Sequence, residues 1–333
     1  WKAPGRKGHG CHGARRLGVR TGSAPVAASS GGANRLASVS LNGSIIELSA
    51  GEYTATLASS GATLVALKHA GRDLVVPFDP ATEIGHGYCG RTLAPWPNRI
   101  SDARYTFDGA EHAVPVNEPA TGAALHGLAC FENWAVSSIG PQSVFFALEL
   151  PRTDGYPFDL RLSARYLVDA DEGLFALVSA TNQGRTDAPV GLSAHPYLTC
   201  GVPVDECVFG LDAAQVLLVD EKMRPVGLAD VDDTVFDFRT PAFLDGRHVD
   251  NAYTGLPEGG WIVVLTHPER GGVTLASDAP WVQAFTGDIP GLDRGGVAVE
   301  PMTCPPDAFN SHPDDVRLHP GETRTLRYAI RAV

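Results

Sequence analysis

Leu160-Arg161-Leu162-Ser163-Ala164-Arg165-Tyr166 alternates apolar and polar side chains with period two. That is the signature of a strand with one face on a core and the other in water. Near the C-terminus, Thr325-Leu326-Arg327-Tyr328-Ala329-Ile330-Arg331 does the same and places both arginines on the solvated face. Working outward from these two, the pattern predicts further strands at residues 44–48, 53–57, 63–69, 144–150, 174–181, 261–266 and 281–286. Turn chemistry separates them at Asp108-Gly109, Asp154-Gly155, Asp171-Glu172-Gly173, Gly259-Gly260 and Gly271-Gly272. No long amphipathic helical pattern occurs, and helix is predicted only as short turns, one of them near residues 307–310. These features predict an all-β fold, a large sandwich of antiparallel strands with few short helices.

Composition narrows the function. The chain has 333 residues, 44% hydrophobic and 19% charged, the profile of a globular protein. Of its 26 basic side chains, seven fall in residues 1–36, where no acid occurs, which leaves 19 against 38 acids in the rest. A body that acidic repels phosphate backbones, so nucleic acid is not an expected partner. Cys11, Cys89, Cys130, Cys200, Cys207 and Cys304 form no Cys-x-x-Cys pair, which speaks against a zinc knuckle or a redox motif and for reduced, mostly buried thiols. No apolar run approaches the roughly 18 residues that cross a bilayer. The expected location is cytoplasmic, with no membrane partner, as a monomer or homodimer.

Residues 1–36 are rich in Gly, Ser, Ala and Arg, begin with Trp1, and lack periodicity. Arg15-Arg16 is followed by no apolar stretch, so an export signal is not supported. This segment is expected to be a disordered or mistranslated basic extension. Residues 37–333, with no Pro/Ser linker and no internal repeat, are expected to form one domain.

Three clusters break the strand pattern with polar residues. In the first, Gly90-Arg91-Thr92-Leu93-Ala94-Pro95-Trp96-Pro97-Asn98-Arg99, an amide and a guanidinium stand side by side, donors that suit sugar hydroxyls. In the second, Leu125-His126-Gly127 precedes Trp134, an apolar platform for a sugar face. The third joins Ala194-His195-Pro196-Tyr197 to Asp250 and to Glu300-Pro301. Pro196 favours extended backbone at His195, and Glu300 follows the apolar run Val297-Ala298-Val299, where a buried carboxylate needs a partner or a task. An imidazole and a carboxylate together suit proton transfer to and from a small polar substrate. Dinucleotide, P-loop, nucleophile-elbow and H-E-x-x-H zinc motifs are absent.

These stretches resemble the aldose 1-epimerase (mutarotase) family, whose members share a galactose mutarotase-like β-supersandwich. The resemblance is carried by Asn98-Arg99-Ile100, Tyr105-Thr106-Phe107-Asp108-Gly109, Leu125-His126-Gly127, His195-Pro196-Tyr197, Asp250, Trp281-Val282-Gln283-Ala284-Phe285-Thr286-Gly287 and Glu300-Pro301, in the family's order. It implies that His195 is the general acid and Glu300 the general base. It further implies that Asn98, Arg99, His126, Tyr197, Asp250 and Gln283 line a sugar pocket, with no metal and no cofactor. The expected activity is interconversion of the α and β anomers of a free hexose. Two departures bear on the preferred sugar, namely the longer Thr92–Pro97 insert and the tail after Glu300. One alternative is a hexose-6-phosphate 1-epimerase, with Arg91, Arg99 and Arg104 near the phosphate. Another is a non-catalytic carbohydrate-binding β-sandwich.

Overall fold

The computed structural model describes residues 41–333. The expectations for residues 1–36 and for Cys11 lie outside them. The Leu160–Asp169 strand buries Leu160, Leu162, Ala164, Tyr166 and Val168 and turns Arg161 and Arg165 to solvent. It sits in a nine-stranded antiparallel sheet. In spatial order this sheet runs Ala135–Ile139, Ser143–Leu150, Leu160–Asp169, Gly173–Asn182, Thr323–Ala332, Gly271–Ser277, Trp261–His267, Val208–Leu211 and Ala242–Phe243.

A second sheet carries the site. Its order is Pro225–Asp230, Gln215–Val219, Asp250–Thr254, Trp281–Phe285, Val297–Met302, Ser193–Ala194 and Thr92–Leu93, with Tyr197–Leu198 also pairing with Val297–Met302. A four-stranded antiparallel sheet is built from Ile45–Ala50, Tyr53–Ala58, Thr63–His69 and Arg72–Asp73. One hydrophobic core joins all three sheets, with Leu48, Leu162 and Val299 among its members. The architecture is the expected antiparallel β-sandwich.

The predicted strands are present, their ends moved by two or three residues at most, and 63–69 agrees at both ends with Thr63–His69. Asp108 (φ 49°) and Gly109 (φ 77°) form the tight hairpin joining Arg104–Phe107 to Ala110–Ala113. The one α-helix among the described residues is the single turn Ala308–Ser311. No helix there is long and apolar enough to cross a membrane. Cys89, Cys130, Cys200, Cys207 and Cys304 are buried free thiols.

Candidate active site

Strand register assembles one wall of the site. Gln283 lies directly opposite Glu300, and Ala252 opposite Gln283. Side chains alternate faces along a strand, so Asp250, two residues before Ala252, shares the face of Gln283 and Glu300. Gln283 Nε2 donates to Asp250 Oδ1 at 2.6 Å. Tyr197 pairs with Ala298, two residues before Glu300, and so joins the same face.

His195 sits between the short strands Ser193–Ala194 and Tyr197–Leu198. Its backbone is clamped on both sides: its N–H donates to Arg91 O at 3.0 Å, and its carbonyl accepts from Gly90 N at 2.9 Å. His195 Nε2 lies 3.3 Å from Glu300 Oε1, with both side chains almost wholly buried. Residues 105 positions apart in sequence thus meet in direct contact.

A second wall comes from residues 98–126. Arg99–Ile100 pairs with Ala124–Leu125, and His126 N donates to Asn98 O at 2.8 Å. Asn98 (φ 51°) and His126 (φ 63°) both adopt left-handed backbone, sparsely populated by non-glycine residues. Such outliers gather where a site over-determines the chain. Gly127 has a structural cause: a Cβ there would stand 2.2 Å from Ala94 O. Its lack of a side chain therefore accommodates Ala94.

The His126 and His195 rings meet edge to face at 5.1 Å. His126, His195 and Glu300 bring one ligating atom each within 4.8 Å of one another, a set that could receive a cation. A metal-bound imidazole ordinarily donates its second N–H to a partner. Here Nδ1 of both His126 and His195 is buried without one.

Burial governs the charge state. It pushes His195 down to about 3. His126 falls well below the usual histidine range through burial and then the neighbouring His195 and Arg99. Glu300 rises well above the usual carboxylate range through burial first and the Asp250 charge second, with Arg99 opposing. Asp250 is raised by burial, against the pull of Arg99 and the Gln283 hydrogen bond. Acid and imidazole stand at ion-pair distance, yet the dry surroundings favour one shared proton and no net charge on the pair.

Arg99 is held by Glu118, which sequence reasoning missed. Arg99 Nε and Nη2 donate to the two Glu118 oxygens at 2.7 Å each, and Thr121 also donates to Glu118. No sequence pattern pairs Glu118, in a strandless loop, with Arg99. Asn98 Oδ1 turns back to accept from the Arg99 backbone N–H at 2.9 Å.

Three expected roles change. Trp134 is 1% exposed and donates Nε1–H to Ala129 O, so it is a core residue and no sugar platform. Tyr197 stacks on His195 at 5.0 Å and gives its hydroxyl to Gly87 O at 3.0 Å. Buried and already bonded, Tyr197 supports the imidazole and has no hydroxyl free for a sugar. Nor do the three arginines converge. Arg91 is buried, with Nη1 on Cys130 O at 2.5 Å and its guanidinium over Phe131. Arg99 belongs to Glu118, and Arg104 is exposed on the Arg104–Phe107 strand.

An antiparallel β-sandwich with a buried imidazole–carboxylate pair on one sheet defines the class, the galactose mutarotase-like fold. The chain belongs to the aldose 1-epimerase family, whose model matches residues 44–331. It is 38% identical to the uncharacterised protein YihR of Escherichia coli K12 over 291 residues, covering 87% of this chain and 93% of that one. To the galactose mutarotase of Bos taurus it is 25% identical over 313 residues, covering 83% of this chain and 90% of the other. The solved GalM/aldose epimerase homologue from C. elegans superposes with a TM-score of 0.79 at 25% identity, covering 87% of this chain and 99% of that one. The family is one of carbohydrate epimerases.

Proposed function

We propose that the protein is an aldose 1-epimerase that interconverts the anomers of a free hexose through His195 and Glu300. The observation that carries this reading is their 3.3 Å buried contact. Opening a hemiacetal moves protons at two oxygens, the anomeric hydroxyl O1 and the ring oxygen O5, both borne by the same carbon. Two proton-transfer groups in contact suit two oxygens on one carbon.

In the active tautomer the shared proton is on His195. Glu300 carboxylate takes the proton from O1–H, and the C1–O1 bond becomes a carbonyl as the C1–O5 bond breaks. The C1–O5 electron pair goes to O5, which receives the His195 proton. Rotation about C1–C2 presents the other carbonyl face. On closure His195 takes the O5 proton, O5 attacks C1, and Glu300 returns a proton to O1. Positioned acid–base transfer contributes roughly 10²–10⁴-fold.

His126 or Arg99 steadies the carbonyl oxygen of the open form. Asp250, Gln283 and Asn98 receive the remaining hydroxyls, and the buried, unpaired Gln283 Oε1 is one acceptor awaiting a donor. The scattered arginines favour a neutral sugar over a 6-phosphate. The acid–base pair favours a catalyst over a binding module, which has no use for one.

Polarimetry of freshly dissolved α-anomers tests the reading across free, phosphorylated and sulfonated hexoses. The wild type should accelerate mutarotation of a free hexose. Glu300→Gln and His195→Asn should lose that acceleration while keeping a cooperative unfolding transition. Near-normal rates in either variant would overturn the assignment.

A further inference from the structure

We propose that Tyr88 is a sugar-contacting residue of this site, its ring packing on the pyranose beside the two histidines and its hydroxyl hydrogen-bonding to the sugar. The inference rests on the carbohydrate reading above. The burial of Trp134 leaves the site without the aromatic surface that its sequence neighbourhood promised, and Trp96 is buried as well. Tyr88 supplies that surface. Its ring lies 4.6 Å from His126, edge to face, and 6.4 Å from His195 with only 22° between the planes.

Two tyrosines flank His195, and their circumstances differ. Tyr197 is buried with its hydroxyl bonded to Gly87 O. Tyr88 is half-buried, and among the described residues its hydroxyl has no hydrogen-bond partner. It is the tyrosine of the two that a ligand reaches. Burial raises that hydroxyl to about 12, which keeps it a neutral donor and acceptor across the working range.

The backbone supports the same conclusion. Gly87 (φ 57°) and Tyr88 (φ 60°) are consecutive left-handed residues. A bulky side chain at the second is a steric outlier, where glycine or asparagine would hold the turn at less cost. The conformation is fixed by Arg91 N donating to Tyr88 O at 3.0 Å and by the Tyr197 hydroxyl on Gly87 O. So Tyr197 steadies both the imidazole and the turn that aims Tyr88 at it. A ring face against the C–H face of a pyranose, with a hydroxyl at its tip, is the amphipathic contact that sugars take.

The test compares Tyr88→Phe, Tyr88→Ala and wild type by polarimetry on the best hexose of the panel, with near-UV circular dichroism to confirm folding. Tyr88→Phe loses one hydrogen bond, so its KM should rise by about 3- to 10-fold with kcat nearly unchanged. Folded Tyr88→Ala should lose more in kcat/KM than Tyr88→Phe. A merely structural tyrosine would lower thermal stability and leave the Tyr88→Phe KM at the wild-type value, and that result overturns the proposal even if Tyr88→Ala fails to fold. A wild type inactive on every sugar defeats the mutarotase reading and this proposal together. An active wild type with an unaltered Tyr88→Phe defeats this proposal alone.

Discussion

Glu300 stands directly opposite Gln283 across two antiparallel strands, and Gln283 in turn donates to Asp250 on the next strand at 2.6 Å. Three neighbouring strands thus contribute acid, amide and acid to one face. A one-residue slip of any of them would swing its side chain to the opposite face. The buried apolar run around Glu300, Val297 to Met302, makes such a slip costly. The arrangement also charges the site: Asp250 bears on Glu300 and adds to the effect of burial in keeping it protonated.

The acid limb of stability should depend on His195. Burial holds its folded value at about 3, against about 6.5 in an unfolded chain. Below 6.5 the unfolded state therefore binds a proton that the folded state refuses, and stability falls as pH drops toward 3. His126 acts in the same direction. Glu300 acts oppositely, because a raised carboxyl favours the folded state at low pH and that stability is lost as pH rises through its folded value. His195→Asn removes one histidine, so its urea-unfolding free energy between pH 6.5 and 4.5 should fall less steeply, by up to roughly 1.4 kcal/mol per pH unit. Identical slopes in the two proteins would contradict the buried neutral imidazole.

Gly127→Ala should be costly, because the new Cβ meets Ala94 O at 2.2 Å on backbone with φ 74°. The loss should be at least about 2 kcal/mol, accompanied by reduced activity as His126 shifts. Gly109→Ala is the control. Its φ is 77° but nothing lies within 4 Å of the added carbon, so only backbone strain is paid. Thermal melts showing equal losses for the two would refute a special role for the Ala94–Gly127 contact.

The sheets were legible where one face is wet and the other dry. Leu160–Asp169 and Thr323–Ala332 declare themselves by alternation. Thr92–Leu93 and Ser193–Ala194, two residues each, are too short for any period to register. The pairing of His195 with Glu300 was legible through the ordered motifs, but the register that puts Gln283 opposite Glu300 was not, since strand order is a property of the whole sheet. Glu118 stayed hidden because its partner Arg99 is reached through a loop without periodicity. Trp134 misled because nearness to His126 in sequence says nothing about which way the ring turns. Tyr88 was missed because its aim depends on two left-handed residues in succession.

Glu118→Gln should separate binding from chemistry. The two 2.7 Å bonds from Arg99 are charge-assisted, and weakening them should cost about 1.5–3 kcal/mol of stability. Arg99 then loses its fixed orientation, so KM for a neutral hexose should rise while kcat changes less. With its counter-charge gone, Arg99 should also attract anions better, raising activity on a hexose 6-phosphate relative to the free sugar. Steady-state polarimetry on both sugars measures this, and an unchanged KM and ratio would show that Arg99 does not depend on Glu118.

Asp250→Asn tests the coupling between the two acids. The substitution keeps an oxygen to accept from Gln283 Nε2, so the 2.6 Å bond has a replacement and the strand face should survive. It removes the charge that, after burial, does most to hold Glu300 above the usual carboxylate range. The active pair holds one shared proton, carried in the free enzyme on Glu300 beside a neutral His195, so the alkaline limb of the kcat/KM profile reports the loss of that proton. Without the Asp250 charge that ionisation becomes easier, and the limb should move to lower pH. The neutral amide is a poorer acceptor for a sugar hydroxyl than the carboxylate, so KM should rise roughly tenfold at the same time. A profile recorded from pH 5 to 10 that keeps the wild-type alkaline limb would mean that burial alone sets Glu300 and that Asp250 serves only the sugar.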